Sequence, residues 1–342
     1  MASRMAADNA SAGLWTLAWR RLRADRVAIG ALVVVGAFLL LVLLSSLGLV
    51  AAGWEREVGV NYAPPSFVGA DLDAVADAAA PLAPAVPADN RFDPLLDDIK
   101  AIRAAGGHGA IAPAERRASL PFGADKWGHD IIGKTIKGGQ TSIVVGLVAA
   151  SLAVALGTLF GALAGFYGGV VDDAFNWFYS IFTAIPSILM ILTVAAVLQH
   201  KGVGTIVLIL GLTGWTGPFR LMRAEYMKHR AREYVMAADA IGASHARQMF
   251  SHILPNVSHV ALVQLSILVV GFIKAEVILS FLGFGVPVGT VSWGSMLNEA
   301  QNELILGKWW QMTAAAIAMA LLVTAFSLLT DALRDALDPK LK

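Results

Sequence analysis

The chain has no cysteine among its 342 residues. Disulfides, thiolate nucleophiles and zinc–thiolate centres are therefore excluded, and the redox compartment leaves no trace. Charge is almost as scarce: Asp, Glu, Lys and Arg make up 15% of the chain, against about a quarter in a soluble domain. The motifs His-Glu-x2-His and Gly-x-Ser-x-Gly are absent, which removes the zinc-protease and nucleophile-elbow chemistries. Seven histidines are scattered. His108 and His129 have no ligand spacing, and His252 and His259 would share a helical face only if a helix ran through Pro255. No catalytic residue, metal site or cofactor is expected on this chain; no Gly-x4-Gly-Lys-Ser/Thr loop is read in it, so ATP is not expected to bind in that manner. The net charge of +1 gives no footprint for nucleic acid.

What is present is apolar. Hydrophobic residues form 57% of the chain and the mean hydropathy is +0.65, so the fold class is an all-α integral membrane protein. Six apolar segments are long enough to span a bilayer, which takes about 20 helical residues: about 27–50, 141–166, 175–198, 203–222, 258–284 and 310–331. The run from Val27 is too long for the apolar core of a cleaved signal, roughly 7–15 residues, and reads as an uncleaved first span. The fourth segment is interrupted by Gly214, Gly217 and Pro218.

Charge placement orients the chain. Arg20, Arg21, Arg23 and Arg26 precede the first span. Arg220, Arg223, Lys228, Arg230, Arg232 and Arg247 fall in or beside the loop after the fourth, and Arg334, Lys340 and Lys342 follow the sixth. The positive-inside rule puts all three groups in the cytoplasm. This divides the chain into a cytoplasmic segment 1–26, a first span 27–50, an extracytoplasmic loop 51–137, a membrane core 138–332 and a cytoplasmic tail 333–342. Within the long loop, residues 68–119 are rich in Ala, Pro, Gly and Asp and have little to bury. They read as a solvated spacer or a partner-contacting module, with a short helix at 94–104.

Three features inside the spans stand out. Ala149, Ala153, Gly157, Gly161 and Gly165 recur every fourth residue, a face on which two helix backbones approach closely. The partner is another helix of this chain or one of a second subunit. Pro186 lies within the third span and predicts a kink, either static or used as a hinge. Lys274 and Glu276 lie at membrane depth, where ionisable groups face protein or a water-filled path. Two residues apart on a helix they diverge, so they are not expected to pair. Glu276 reads as an interhelical hydrogen-bonder or a pathway residue.

The polar stretch Glu233–Asn256 is the most patterned. Residues 231–241 are good helix formers that Gly242 ends. Ser244 can cap a second short helix through Phe250, which is expected to stop before Pro255. Ala237, Ala238, Ala240 and Gly242 keep the first helix flat, favouring protein docking over lipid contact.

Ala237, Ala238, Gly242, Leu254 and Pro255 fall where the membrane subunits of ATP-binding-cassette importers have Glu-Ala-Ala-x3-Gly-x9-Ile-x-Leu-Pro. Met236 stands in place of the Glu and His252 in place of the Ile. Pro121–Asp130, Ala164–Asp172, Ala184-Ile-Pro186, Leu279–Gly285 and Ser292–Leu297 resemble, in order, segments of the dipeptide and oligopeptide branch. The resemblance covers roughly 10–55 and 120–342 and leaves out most of 60–119. It implies the type I importer membrane-subunit fold and an importer permease of a bacterial inner membrane, not an enzyme. The cargo would be di- or oligopeptides; nickel chelates, opines or another small solute is the alternative, and a non-transporting scaffold or receptor the remaining one. The implied partners are a homologous second permease, two ATPase subunits that carry ATP and Mg, and an extracytoplasmic binding protein, within a lipid bilayer. The coupling loop 231–255 would dock the ATPase through Glu233, Ala237, Ala238, Asp239, Gly242, Ala243, Ser244, Leu254 and Pro255, with Glu233 or Asp239 supplying the charge that Met236 lacks.

Overall fold

A computed structural model describes residues 14–69, 98, 116–198, 202–287 and 289–337. The helix expected at 94–104, apart from position 98, and the rest of the insert between 70 and 115 lie outside the described residues. Eleven helices account for the described architecture. A short α1 (Leu14–Ala24) leads into α2 (Arg26–Ser46), whose first turn Asp25 caps by accepting from Val27 N at 2.8 Å. The core follows: α3 (Ile131–Tyr167), α4 (Gly169–Thr183), α5 (Ser187–Leu198), α6 (Val203–Thr213), α7 (Thr216–Arg230), α8 (Glu233–Ala240), α9 (His245–Phe281), α10 (Trp293–Ile305) and α11 (Trp310–Leu337). Among the described residues there is no strand; isolated bridges such as Glu57 to His129 and Gly59 to Arg117 hold the first loop together.

Four helices, α2, α3, α9 and α11, are each long and apolar enough to cross a membrane. The pairs α4/α5 and α6/α7 bring the number to six if each counts as one broken span. At 1.5 Å per residue α3 is about 55 Å long, so it overshoots a hydrocarbon core of about 30 Å. It also begins ten residues before the apolar run does, because its polar first turns are satisfied by the first loop and by α2. Gln140, for example, exchanges hydrogen bonds with Ser45 and Ser46 at 2.8 and 2.9 Å.

α3 is the central mast, and its small residues decide what it touches. A methyl group at Gly157 would lie 2.6 Å from Trp215 O, at Gly161 2.8 Å from Phe219 O and Met222 Cβ, and at Gly165 2.5 Å from Arg223 O. The small-residue face therefore meets α7 of the same chain, and of the two partners left open by the sequence the intramolecular one is realised. Higher on α3, Gly146 meets α9 at Val269 and Ile273, and Gly138 and Gly139 meet the start of α10. The main core cluster gathers Ile143, Ala149, Ala153, Leu210, Ile273, Trp293 and Leu322 around this mast.

Two expectations need correction. Pro186 does not sit in one gently kinked span: the chain turns through 83° between α4 and α5, across Ala184-Ile-Pro186. Nor does the helix after Ser244 stop before Pro255. It runs unbroken from His245 to Phe281 by opening into a π-helix over Gln248–Ile253. There Leu254 N bonds back to Met249 O, five residues earlier. The slip falls where Pro255 offers no N–H and its ring would crowd an α-helical carbonyl, so the wide turn removes the reason to end the helix. His252 and His259 consequently share one helix, yet no group of three potential metal ligands forms among the described residues.

Candidate functional site

The patterned polar stretch folds at the end of the bundle that carries the basic residues of α1, α7 and the end of α11. α8 ends at Ala240, and Gly242 takes φ +82°, allowing Gly242 N to reach Asp239 O at 2.8 Å and Ala243 N to reach Ala238 O at 2.9 Å. This left-handed cap is what a glycine one step past a helix supplies. Ser244 then caps the next helix, accepting from Arg247 N at 3.4 Å. Gln248, buried at the first π position, donates from Nε2 to Asp239 Oδ1 at 2.9 Å and to Ala243 O at 2.8 Å. Tyr226 of α7 donates to Met249 O at 3.2 Å.

α8 thus has two sides. Val235 turns inward onto a cluster containing Tyr226, Met249 and Ile253, with Leu254 packed beside it, and Ala238 is buried too. Glu233, Ala237, Asp239 and Ala240 are exposed, and so are Met236 at 55% and Ile241 at 86%. Pro255 is exposed at the start of the α-helical part of α9. The outer surface of α8 is therefore not the plain alanine platform anticipated above, since Ala238 is spent on internal packing. It is a small apolar patch on a polar end of the molecule, with Met236 where a charge was looked for. Met236, Ile241 and Gln248 were not picked out as site residues. A count of apolar positions at the end of a short polar helix would have flagged the first two.

The membrane-depth pair separates. Glu276 is fully buried on α9; its Oε1 accepts from Ser280 Oγ at 2.6 Å and its Oε2 has no hydrogen-bond partner. Lys274 is exposed. At the basic end, Arg223 of α7 grips Asp172 of α4 with two hydrogen bonds of 2.5 Å.

At the opposite end the first loop is bolted to α10 and α11 by a charged cluster. Lys134 Nζ lies 2.6 Å from Asp125 Oδ2, 2.6 Å from Glu299 Oε2 and 3.2 Å from Gln311 Oε1. Asp125 also accepts from His129 N and lies 2.9 Å from His129 Nδ1. Burial alone would raise the Asp125 pKa, but the ammonium of Lys134 and these hydrogen bonds hold it below the usual carboxylate value. Glu303 is buried beside them, with Oε1 facing Lys126 N at 3.3 Å and Oε2 unpartnered. Burial, only partly offset by Lys134, pushes its pKa up to about 7. The same cluster corrects the reading of P-loops. The spacing Gly-x4-Gly-Lys-Thr does occur, from Gly128 through Gly133-Lys134 to Thr135. Here no strand precedes it, Asp130 caps α3 by accepting from Gly133 N, and Lys134 is consumed by two carboxylates. A phosphate cradle needs those amides and that lysine free, so the match is in letters only.

Residues 157–342 match the family model described as "Binding-protein-dependent transport system inner membrane component". The chain belongs to that family. Residues 13–65 match a second model, the N-terminal TM domain of oligopeptide transport permease C. The dipeptide transport system permease protein DppC of Bacillus subtilis is 35% identical over 241 residues, which is 69% of this chain and 75% of that protein. The oligopeptide transport system permease protein OppC of the same organism is 36% identical over 221 residues, 65% of this chain and 72% of that one. The OppC protein of Haemophilus influenzae is 32% identical over 219 residues, 64% and 70%. As a member of this family the chain is a multi-pass transport permease and not an enzyme. Bare apolar surface on α2 and α11, such as Leu40, Leu43, Ile317 and Leu321, suits helices that face lipid.

Proposed function

We propose that this chain forms half of the translocation path of a peptide importer and is driven by separate ATPase subunits that dock on residues 231–255. The observation that carries the docking reading is the outer side of α8: Met236 and Ile241 stand exposed beside Ala237 and Ala240 on a helix outside the candidate spans. Apolar side chains left bare at a polar end mark a contact surface rather than a solvated loop. The cargo reading, di- or oligopeptides, rests on the names of the relatives above. A homologous permease would supply the other half of the path, ATP and Mg would stay on the two ATPases, and an extracytoplasmic binding protein would deliver the peptide. The basic residues of α1, α7 and the end of α11 support a cytoplasmic position for α8 and both termini, in a bacterial inner membrane. Glu276 is fully buried and its hydrogen bond from Ser280 stays within α9, which fits a structural role better than a pathway one. Pro186, at a turn of 83°, is the place where α4 and α5 would pivot if the path opens there.

The test is capture of the cognate ATPase subunits by the intact permease. Ala237→Asp puts a charge into the exposed patch, and Gly242→Pro destroys the left-handed cap at φ +82°. Both variants should insert normally, lose ATPase capture at least tenfold and abolish ATP-dependent uptake of the peptide that the cognate binding protein carries. Unchanged capture and uptake in both would sink the docking reading.

A further inference from the structure

If α8 receives a push from an ATPase, the turn 241–244 is where the push would be lost. It is short, largely exposed and hinged on Gly242, and the backbone N–H groups of 241–243 bond back into α8, leaving Ser244 alone to bond forward into α9. One buried side chain closes it. Gln248 spends both amide hydrogens there, one on Asp239 Oδ1 in the last turn of α8 and one on Ala243 O in the turn itself. Its own backbone N–H is bonded to Ser244 O at 2.9 Å. Gln248 is also the first residue of the π-helix, so the atom that grips α8 belongs to the same continuous helix that reaches Phe281. We propose that Gln248 is a positioning residue: with Asp239 it latches α8 to α9, so that a displacement of α8 moves α9 as a rod instead of bending the 241–244 turn. This rests on the docking reading above.

The far end of the rod has little slack. A methyl at Gly294 would lie 2.5 Å from Val277 O and 2.6 Å from Ser280 Cβ, so α10 rides directly on α9. The movement latched in at Gln248 is thereby delivered to α10, at the end of the bundle remote from α8. Of the other ties around α8, Val235 packs on Met249 and Ile253 of α9 but leaves the 241–244 turn unspanned, and two hydrogen bonds involve α7. Tyr234 Oη meets His229 Nδ1 at 2.8 Å, which links α8 to α7, and Tyr226 holds Met249 from α7.

The absence of native cysteine gives a clean reporter. Gln301 is exposed on α10, and Gln301→Cys carries the label that reads α10 in the full complex with its ATPases. ATP should change the label signal in the otherwise unaltered chain. Gln248→Leu and Gln248→Met, which keep size and burial but have no amide to donate, should still capture the ATPases and hydrolyse ATP while the ATP-dependent signal falls at least fivefold. Gln248→Met keeps the test alive if Gln248→Leu fails to insert. A signal of unaltered size in either variant, with the ATPases bound, overturns the latch while leaving docking intact. Loss of ATPase capture in both also overturns it, by making Gln248 part of the docking surface. No ATP-dependent signal in the unaltered background overturns transmission along α9.

Discussion

Glu303 makes the protein's stability depend on pH in a direction unusual for a carboxylate. Its side chain is 1% exposed, one oxygen has only the Lys126 amide, and the other has no partner. Lys134 would be its natural counter-ion but is held by Asp125 and Glu299. Burial first, and then the charges of Asp125 and Glu299, raise the pKa from 4.5 to about 7 against the pull of Lys134 and the Lys126 amide. A folded pKa above the unfolded one means that the folded state binds more protons between the two values. The contribution is therefore fully present below about pH 4.5 and is lost as pH rises through about 7. A rise of about 2.5 units corresponds to roughly 3 kcal/mol at most. At about 2–4 °C per kcal/mol for a chain of this order, that amounts to a fall of up to about 10 °C between pH 5 and 8. Glu303→Gln keeps an acceptor for Lys126 and cannot ionise, so this component should vanish and the variant should melt higher than the parent at pH 8. The assay is thermal unfolding in detergent across pH 5–8, read as the difference between the two proteins. Asp125 titrates in both and cancels; its contribution, with a lowered folded pKa, is lost only below about pH 3.8. Parallel curves for Glu303→Gln and the parent would refute the assignment of a buried, proton-binding Glu303.

Two further predictions follow from packing and from ion-pair geometry. Gly161→Ala gains about 1 kcal/mol of helix propensity but drives a methyl to 2.8 Å from a carbonyl and a Cβ of α7, atoms that cannot swing aside. Overpacking of this kind costs about 1–3 kcal/mol, so the net change should be a loss of about 1 kcal/mol, and Gly161→Leu should fail to fold. A higher melting temperature for Gly161→Ala would show that α3 and α7 are not in that contact. Arg223→Lys keeps the charge beside Asp172 but loses the two-pronged fit. It should cost about 1 kcal/mol in detergent melts, whereas Asp172→Asn should cost at least as much; equal stability of Arg223→Lys and the parent would mean that the pairing is only electrostatic.

The four long apolar helices, the glycine face of α3, the glycine cap at Gly242 and the serine cap at Ser244 were legible because each is written in local terms, as apolar length, a period of four, or a residue type at a helix end. The start of α3 was not, since Lys134 and Gln140 look like the end of an apolar run until Asp125, Glu299 and Ser45 arrive from elsewhere in the chain to satisfy them. The same non-local pairing disguised Gly128–Thr135, in which the letters of a phosphate loop are a helix cap and a salt-bridged lysine. Pro255 misled for a different reason. A proline stops a helix when its missing N–H and its ring meet an α-helical carbonyl, but one extra residue in the turn ahead of it moves that carbonyl, and no single residue type announces the extra residue. What makes the wide turn tolerable here is side-chain work done from both flanks, by Gln248 reaching Asp239 of α8 and by Tyr226 reaching Met249 O from α7. The widened turn is the point at which a proline that should have separated the docking helix from the membrane helix leaves them joined, and a sequence reading that stops the helix at Pro255 also loses the path by which a push could travel.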